Sequence, residues 1–362
     1  MEILKIAKRI GYLYQRIGSL LPWELVEKIK VLFFVLMSSV KEGRIPKFDP
    51  TPSIVTTGIY AYRKSFKSFF NSENSESEIK ALKEGLDPRS LQLLDVLFLR
   101  FQNFPEFTGM MQFVRVPLKI FTKDEIEDAR AWLRFLRKCF RRWKYDGYYT
   151  AVAFYYHHGL KDMPQTLLDY IKKKDFLDLG AYIGDSVLVF QEYGPRKIIS
   201  FDASPSNAER FWETMRRNNI SEENVELIIA GISDLCLDGK IKINDTGTED
   251  VNLFSPGETD VELITIDEFV RRRKQPLDIG LIKMDVEGFG LEAVRGMVET
   301  LRKYRPVLSL AIYHNPDEFF KIKPLMESLD LNYRFAIRKF SHIGLTGETC
   351  LLAWPAELAA SR

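Results

Sequence analysis

The stretch DFLDLGAYIGDS, residues 175–186, reads as a buried strand that breaks into a glycine-bearing turn and restarts as a helix. Phe176, Leu177 and Leu179 supply the apolar run, with Asp178 inside it. A carboxylate in an apolar strand costs several kcal/mol unless it is hydrogen-bonded, so Asp178 is expected to hold the N–H groups of the turn. Gly180 is expected to let the backbone approach a ligand, Ala181 and Gly184 keep the turn small, and Asp185 and Ser186 suit the first turn of a helix. The shape is that of a nucleotide pocket.

The dinucleotide fingerprint G-x-G-x-x-G is absent, because its middle position holds Tyr182. Asp185 would repel a phosphate where a helix N-terminus should attract one. A cationic, phosphate-free nucleoside fits better, and S-adenosylmethionine is such a ligand. The next strand-like run, IISFDAS at 198–204, ends near Asp202, whose carboxylate could accept from both ribose hydroxyls. The plainer role for Asp202 is to cap the helix that starts near Ser206. A second chemical centre follows in IGLIKMDVEG, residues 279–288, where Asp285 and Glu287 leave one face of a strand at the edge where open parallel sheets bind ligands. The run VLSLAIYH at 307–314 ends in His314. Asp285, Glu287 and His314 are the expected general bases. Their plainer roles are a helix cap for Glu287 and a satisfied strand terminus for His314. A metal bridge through Asp285, Glu287 and His314 is an alternative that these groups suit only in part for Mg²⁺ or Mn²⁺, and no metal is assigned.

The ordered motifs DLGAYIGDS (178–186), FDASPSN (201–207), IKMDVEG (282–288) and RPVLSLAIYH (305–314) resemble those of the FkbM family of S-adenosylmethionine-dependent methyltransferases. Many members carry Glu-Pro where this chain has Asp202-Ala203. The resemblance implies a doubly wound, Rossmann-like α/β sheet of seven strands, the last antiparallel. It places the cofactor against Asp178, Gly180, Ala181, Tyr182, Gly184, Asp185, Ser186, Asp202, Ser204, Asn207, Ile232, Ser233 and Asp285. The activity it implies is O-methylation of a hydroxyl on a sugar, glycan or glycan precursor. Two other classes stay open: a non-catalytic cofactor-binding scaffold or sensor, and a nicotinamide-dependent oxidoreductase, which Tyr182 and Asp185 disfavour.

The remainder of the 362 residues is read around this half. A charge of +2 and 46% hydrophobic residues give no field that implies nucleic-acid binding. Cys139, Cys236 and Cys350 have no metal spacing and suit a reducing, cytoplasmic setting. Residues 4–40 form an amphipathic pattern with Lys5, Lys8, Arg9 and Arg16, and its apolar run is too short to span a bilayer, so no stable membrane insertion is expected. Pro46, Pro50 and Pro52 mark a connector. Helices are predicted from Asp87 and from Thr122 to Trp143, the latter with Arg134, Arg137, Lys138, Arg141, Arg142 and Lys144 on one face, either solvated or facing an acidic partner. The division expected is a mainly helical N-terminal domain, 1–145, followed by the methyltransferase domain, 146–362. Residues 145–159 carry five tyrosines with His157 and His158, and serve either to wall the acceptor site or to pack a domain interface. The two histidines are secondary catalytic candidates, and homo-oligomerisation is left open.

Overall fold

The computed structural model describes residues 53–59, 63–103, 111–117, 120–235, 240–245, 257–341 and 344–359. The N-terminal amphipathic pattern, the proline connector up to residue 52 and Cys236 lie outside them.

The elements in chain order are β1 (Ser53–Ile59), α1 (Arg63–Phe70), α2 (Ser75–Lys83), α3 (Pro88–Asn103), β2 (Met111–Pro117), α4 (Lys123–Arg142), α5 (Ala151–Phe154), α6 (Gln165–Ile171), β3 (Asp175–Leu179), α7 (Asp185–Phe190), β4 (Lys197–Asp202), α8 (Pro205–Arg217) and β5 (Val225–Ile229). Then come β6 (Gly231–Ile232), β7 (Lys240–Ile243), β8 (Thr259–Ile264), α9 (Ile266–Arg272), β9 (Ile279–Met284), α10 (Gly290–Arg295), α11 (Val298–Tyr304), β10 (Val307–Ala311), α12 (Pro316–Ser328), β11 (Tyr333–Lys339) and β12 (Thr349–Pro355).

Seven strands form one sheet in the order β5-β4-β3-β9-β10-β12-β11. Pairing is parallel from β5 to β10, and β12 runs antiparallel to both β10 and β11. The expected doubly wound α/β sheet with an antiparallel last strand is therefore observed, with β12 inserted one place in from the edge. Strand order reverses between β3 and β9, the place where open α/β sheets bind ligands at their carboxyl ends.

Period-two burial builds a core on each face of this sheet. Leu177, Leu179, Ile199, Phe201, Ile282, Met284, Leu308 and Leu310 belong to one cluster, shared with Phe66, Leu82, Leu94 and Leu97 of the N-terminal helices. Phe176, Ile198, Leu281 and Val307 belong to the other, with Trp132 and Leu136 of α4, Val187 of α7 and Phe211 of α8. The apolar core thus runs through position 145 without a break, since helices from the first half cover both faces.

The helix signals hold. Asp87 accepts from the N–H groups of Arg89 and Ser90 at the start of α3, and Thr122 and Glu125 form a capping box on α4. One local expectation is corrected. The N-terminal region is mainly helical but also contains an antiparallel ribbon, β1 with β2, in register from Ser53 opposite Pro117 to Ile59 opposite Met111. After β5 the chain breaks at Ala230, and β6 leaves the main sheet to pair with β8, which also pairs with β7. Helices α10 and α11 are divided at Gly296, where a Cβ would lie 2.1 Å from the carbonyl oxygen of Ser233.

Candidate active site

The loop after β3 is shaped by its neighbours in the sheet. Gly180 has φ +83°, and a Cβ there would fall 1.7 Å from the carbonyl oxygen of Asp285. Gly184, at φ +91°, faces Met215 and Phe211 of α8 at the start of α7. These glycines admit neighbouring protein chain where the sequence suggested a ligand, which corrects that expectation. Gly180 and Ala181 both donate to the carbonyl oxygen of Phe201, at 2.9 Å each, tying the loop to β4.

Asp178 does not hold the N–H groups of the turn. Its register partner on β9 is Lys283, whose Nζ lies 3.1 Å from Asp178 Oδ1 and donates to the Gly180 carbonyl at 2.7 Å. Ser200 Oγ supplies the other carboxylate oxygen at 3.3 Å. Burial works against the charge of Lys283, but the carboxylates of Asp178, Asp285 and Asp185 raise its pKa above the ordinary value. Lys283 escaped the sequence reading, although a signal existed: an acid and a base, each inside an apolar strand, find partners most readily on adjacent strands.

The turn's N–H groups are instead gathered by Asp202. Its Oδ2 accepts from Tyr182 N at 2.7 Å, and its Oδ1 accepts from Ser204 N at 2.9 Å and from Asn207 Nδ2 at 3.2 Å. A carboxylate has about four lone-pair positions, so three are used and one remains on Oδ2. That corrects the expectation that Asp202 could accept from two hydroxyls. Burial raises the Asp202 carboxyl to about 6 and that of Asp185 to about 6. Asn207 Oδ1 is buried with no hydrogen-bond partner among the described residues. A second acid missed by sequence reading, Asp245 after β7, accepts from Ser204 Oγ at 2.5 Å and Ser206 N at 3.0 Å, and so caps α8.

Ile232 pairs with Ile264 across β6 and β8, Ser233 donates to the Ile264 carbonyl at 3.0 Å, and Ala230 donates to the Asp202 carbonyl at 3.0 Å. These contacts place Ile232 and Ser233 just beyond the β4 end. Ser186 Oγ is hydrogen-bonded to His158 Nε2 at 3.0 Å, inside the core. His157 meets Tyr193 OH at 2.9 Å. Burial lowers the pKa of His157 to about 4 and that of His158 well below its usual value, and both rings are buried against partners within the core. Tyr145, Tyr149 and Phe154 pack among one another in the core, and Tyr156 OH donates to Asp128 of α4 at 2.8 Å. The tyrosine-rich segment therefore joins α4 to the sheet.

The second centre assembles as expected and gains a member. Asp285, Glu287 and His314 come together with ligand-capable atoms within 4.8 Å of one another. His314 Nε2 lies 3.2 Å from Asp285 Oδ1 and 3.7 Å from Glu287 Oε2. Glu318, one helical turn after His314, takes Nδ1 at 2.9 Å through Oε2 and the N–H of Gly290 at 2.7 Å through Oε1. Glu287 is placed by a left-handed backbone, φ +50°, and the residue at the α10 cap position is Phe289. Burial opposes a charge on His314, yet Glu318, Glu287 and Asp285 raise its pKa well above the usual value. Nδ1 of His314 is thus held by Glu318, and its Nε2 faces the two carboxylates. Asp285 N donates to the Leu179 carbonyl at 2.8 Å, so this centre adjoins the loop at Gly180.

Comparison with known proteins bears on the fold. A crystal structure of methyltransferase FkbM from Methylobacillus flagellatus KT superposes with TM-score 0.52 at 14% identity, covering 81% of this chain and 62% of that one. The chain thus spans less than two thirds of that protein, and the likeness is one of fold. An rRNA methylase from Streptococcus thermophilus matches with TM-score 0.32 at 12% identity, covering 53% of this chain and 92% of that one. A fibrillarin from Aeropyrum pernix, in complex with natively bound S-adenosyl-L-methionine, matches with TM-score 0.34 at 15% identity, covering 57% and 72%. No curated protein matches in sequence. Residues 178–335 match the methyltransferase FkbM domain, which spans the four motifs and both acidic centres.

Proposed function

We propose that this chain is an S-adenosylmethionine-dependent O-methyltransferase acting on a hydroxyl of a sugar, glycan or glycan precursor. The observation that carries the reading is the adjacency of two acidic centres on one sheet edge: Asp202 at the end of β4, and Asp285 with Glu287 beyond the end of β9. Between them lies the Gly180 loop, hydrogen-bonded to the neighbouring strand on each side.

The residues at the first centre fit a cationic nucleoside. Asp202 retains a lone pair for a ribose hydroxyl, Asn207 Oδ1 is a buried acceptor without a partner, and no described cation of this loop is arranged for a phosphate. When bound, the cofactor supplies an electrophilic methyl group on a sulfonium. The protein's part is to hold the acceptor oxygen in line with that methyl, where orientation contributes several kcal/mol. Asp285 or Glu287 takes up the hydroxyl proton as the new bond forms, and His314 keeps both carboxylates in place.

Mass spectrometry of the gently purified chain should find S-adenosylmethionine or S-adenosylhomocysteine. Incubation with isotopically labelled cofactor and a panel of glycans should then transfer label to an acceptor hydroxyl. Cofactor binding without transfer to any acceptor would favour the scaffold reading, and the absence of binding would defeat both.

A further inference from the structure

The cluster at the end of β9 has more acidic groups than an acid–base pair requires. Three carboxylates, Asp285, Glu287 and Glu318, surround a single imidazole whose side chain is fully buried. Asp285 Oδ1 is itself buried and has His314 Nε2 at 3.2 Å, with no hydrogen bond to another described residue. In an octahedral shell with bonds of about 2.1 Å, adjacent ligand atoms stand about 3 Å apart. The distances from His314 Nε2, 3.2 Å to Asp285 Oδ1 and 3.7 Å to Glu287 Oε2, approach that spacing without any change of fold.

An independent feature lies behind the imidazole. A histidine that binds a metal through Nε2 generally donates its Nδ1 proton to a carboxylate, which fixes the tautomer and turns the other nitrogen outward. Glu318 Oε2 occupies that position at 2.9 Å. Glu318 is only 1% exposed, and its other oxygen is anchored by the N–H of Gly290. A carboxylate buried and fixed in this way serves to orient His314 and has no route to an acceptor.

We propose that Asp285, Glu287 and His314 bind one divalent first-row cation, with Glu318 positioning His314 from behind. An imidazole among two carboxylates suits Mn²⁺, Fe²⁺ or Zn²⁺ better than Ca²⁺ or Mg²⁺, which prefer all-oxygen shells. Three protein ligands on one side leave the opposite positions for oxygens of the acceptor, two neighbouring hydroxyls of a sugar could fill them, and a carboxylate that ligates through one oxygen keeps its other oxygen for the hydroxyl proton. Assigning those positions to the acceptor rests on the methyl-transfer reading; binding of the cation does not.

The test is titration of the chelator-stripped full chain with Mn²⁺, followed by electron paramagnetic resonance. One saturable site per chain is expected, and pulsed spectra should show a directly bound imidazole nitrogen in the unaltered protein. Asp285→Asn and Glu287→Gln should each weaken binding about tenfold or more, and Glu318→Gln by about 10–100-fold, in proteins with unchanged circular dichroism. Absence of a saturable site, absence of nitrogen coupling, or affinity unchanged in Glu287→Gln would each overturn the proposal. Mn²⁺ bound as described with no methyl transfer to any acceptor would fault the functional reading and leave the metal site intact.

Discussion

Two buried charge clusters in this molecule differ in their balance of charge. Beneath the N-terminal helices, Glu125 of α4 is clasped by Arg100 of α3 through both oxygens, at 2.8 and 2.7 Å, and by Lys339 of β11 at 3.0 Å. Arg100 also donates to the carbonyls of Ile120 and Leu345, and Thr122 N donates to Glu125 Oε2. That cluster joins three elements and sets two cations on one carboxylate, with Arg100 Nε its buried atom that lacks a hydrogen bond among the described residues. At the end of β9 the balance is the opposite, with three carboxylates sharing one histidine and Asp285 Oδ1 making no hydrogen bond to another described residue. A carboxylate neutralised by its neighbours stabilises the fold; carboxylates in excess of their cation are available to something else.

Substitutions should separate the two. The largest effect is expected for Glu287→Gln, which keeps shape and removes a proton acceptor: turnover in a labelled-methyl assay should fall about 10²–10⁴-fold, with thermal stability little changed. A fall in stability with turnover per folded molecule preserved would place Glu287 in the structural class. Glu125→Gln should behave in the reverse manner. It leaves Arg100 and Lys339 buried without their carboxylate, so urea denaturation should show a loss of about 3–5 kcal/mol, with turnover of the folded fraction intact.

The same contrast appears in acid. Burial pushes the Glu125 carboxyl up, but Arg100, Lys339 and Thr122 N together hold it at about 2. A carboxyl depressed in the folded state stabilises fully above its unfolded pKa, about 4.5, and that stability is lost as pH falls toward about 2. The expected contribution is about 3 kcal/mol, read from unfolding free energies between those values, and Glu125→Gln should flatten this part of the profile. Arg100, Lys339 and Asp128 are the charged groups facing this site. The smallest effect is expected for Thr122→Ala. It removes only the side-chain cap to Glu125 N at 3.2 Å and should cost about 1 kcal/mol in the same unfolding measurement.

How much of this was legible in the sequence depended on locality. The β3 loop, Asp202, and the strands ending near Asp285 and His314 stood out because each pairs a short apolar run with a polar residue at its carboxyl end. The sheet and its antiparallel last strand followed from those runs and the family they resemble. What could not be read required knowing neighbours. Ile59 and Met111 are far apart in sequence, so the β1–β2 ribbon has no local signal. Glu318 lies on α12 and looks like any acid in a first helical turn until α10 comes against it. Gly180 was misread for the same reason, since the atom that forbids a side chain there belongs to Asp285, on another strand. The histidine pair and tyrosines of 145–159 resembled a substrate wall because rings with polar tips serve cores and ligands equally well.

The central claim is that Asp202 and the loop at Gly180 hold the methyl donor beside the carboxylates of Asp285 and Glu287. Calorimetric titration with S-adenosylhomocysteine, of the unaltered chain and of Asp202→Ala, tests it most directly. The account predicts one site per chain in the first and an affinity about tenfold or more weaker in the second, as the loss of a hydrogen bond to a charged group requires. No binding to the unaltered chain, or equal binding to both in proteins of equal fold, would contradict it.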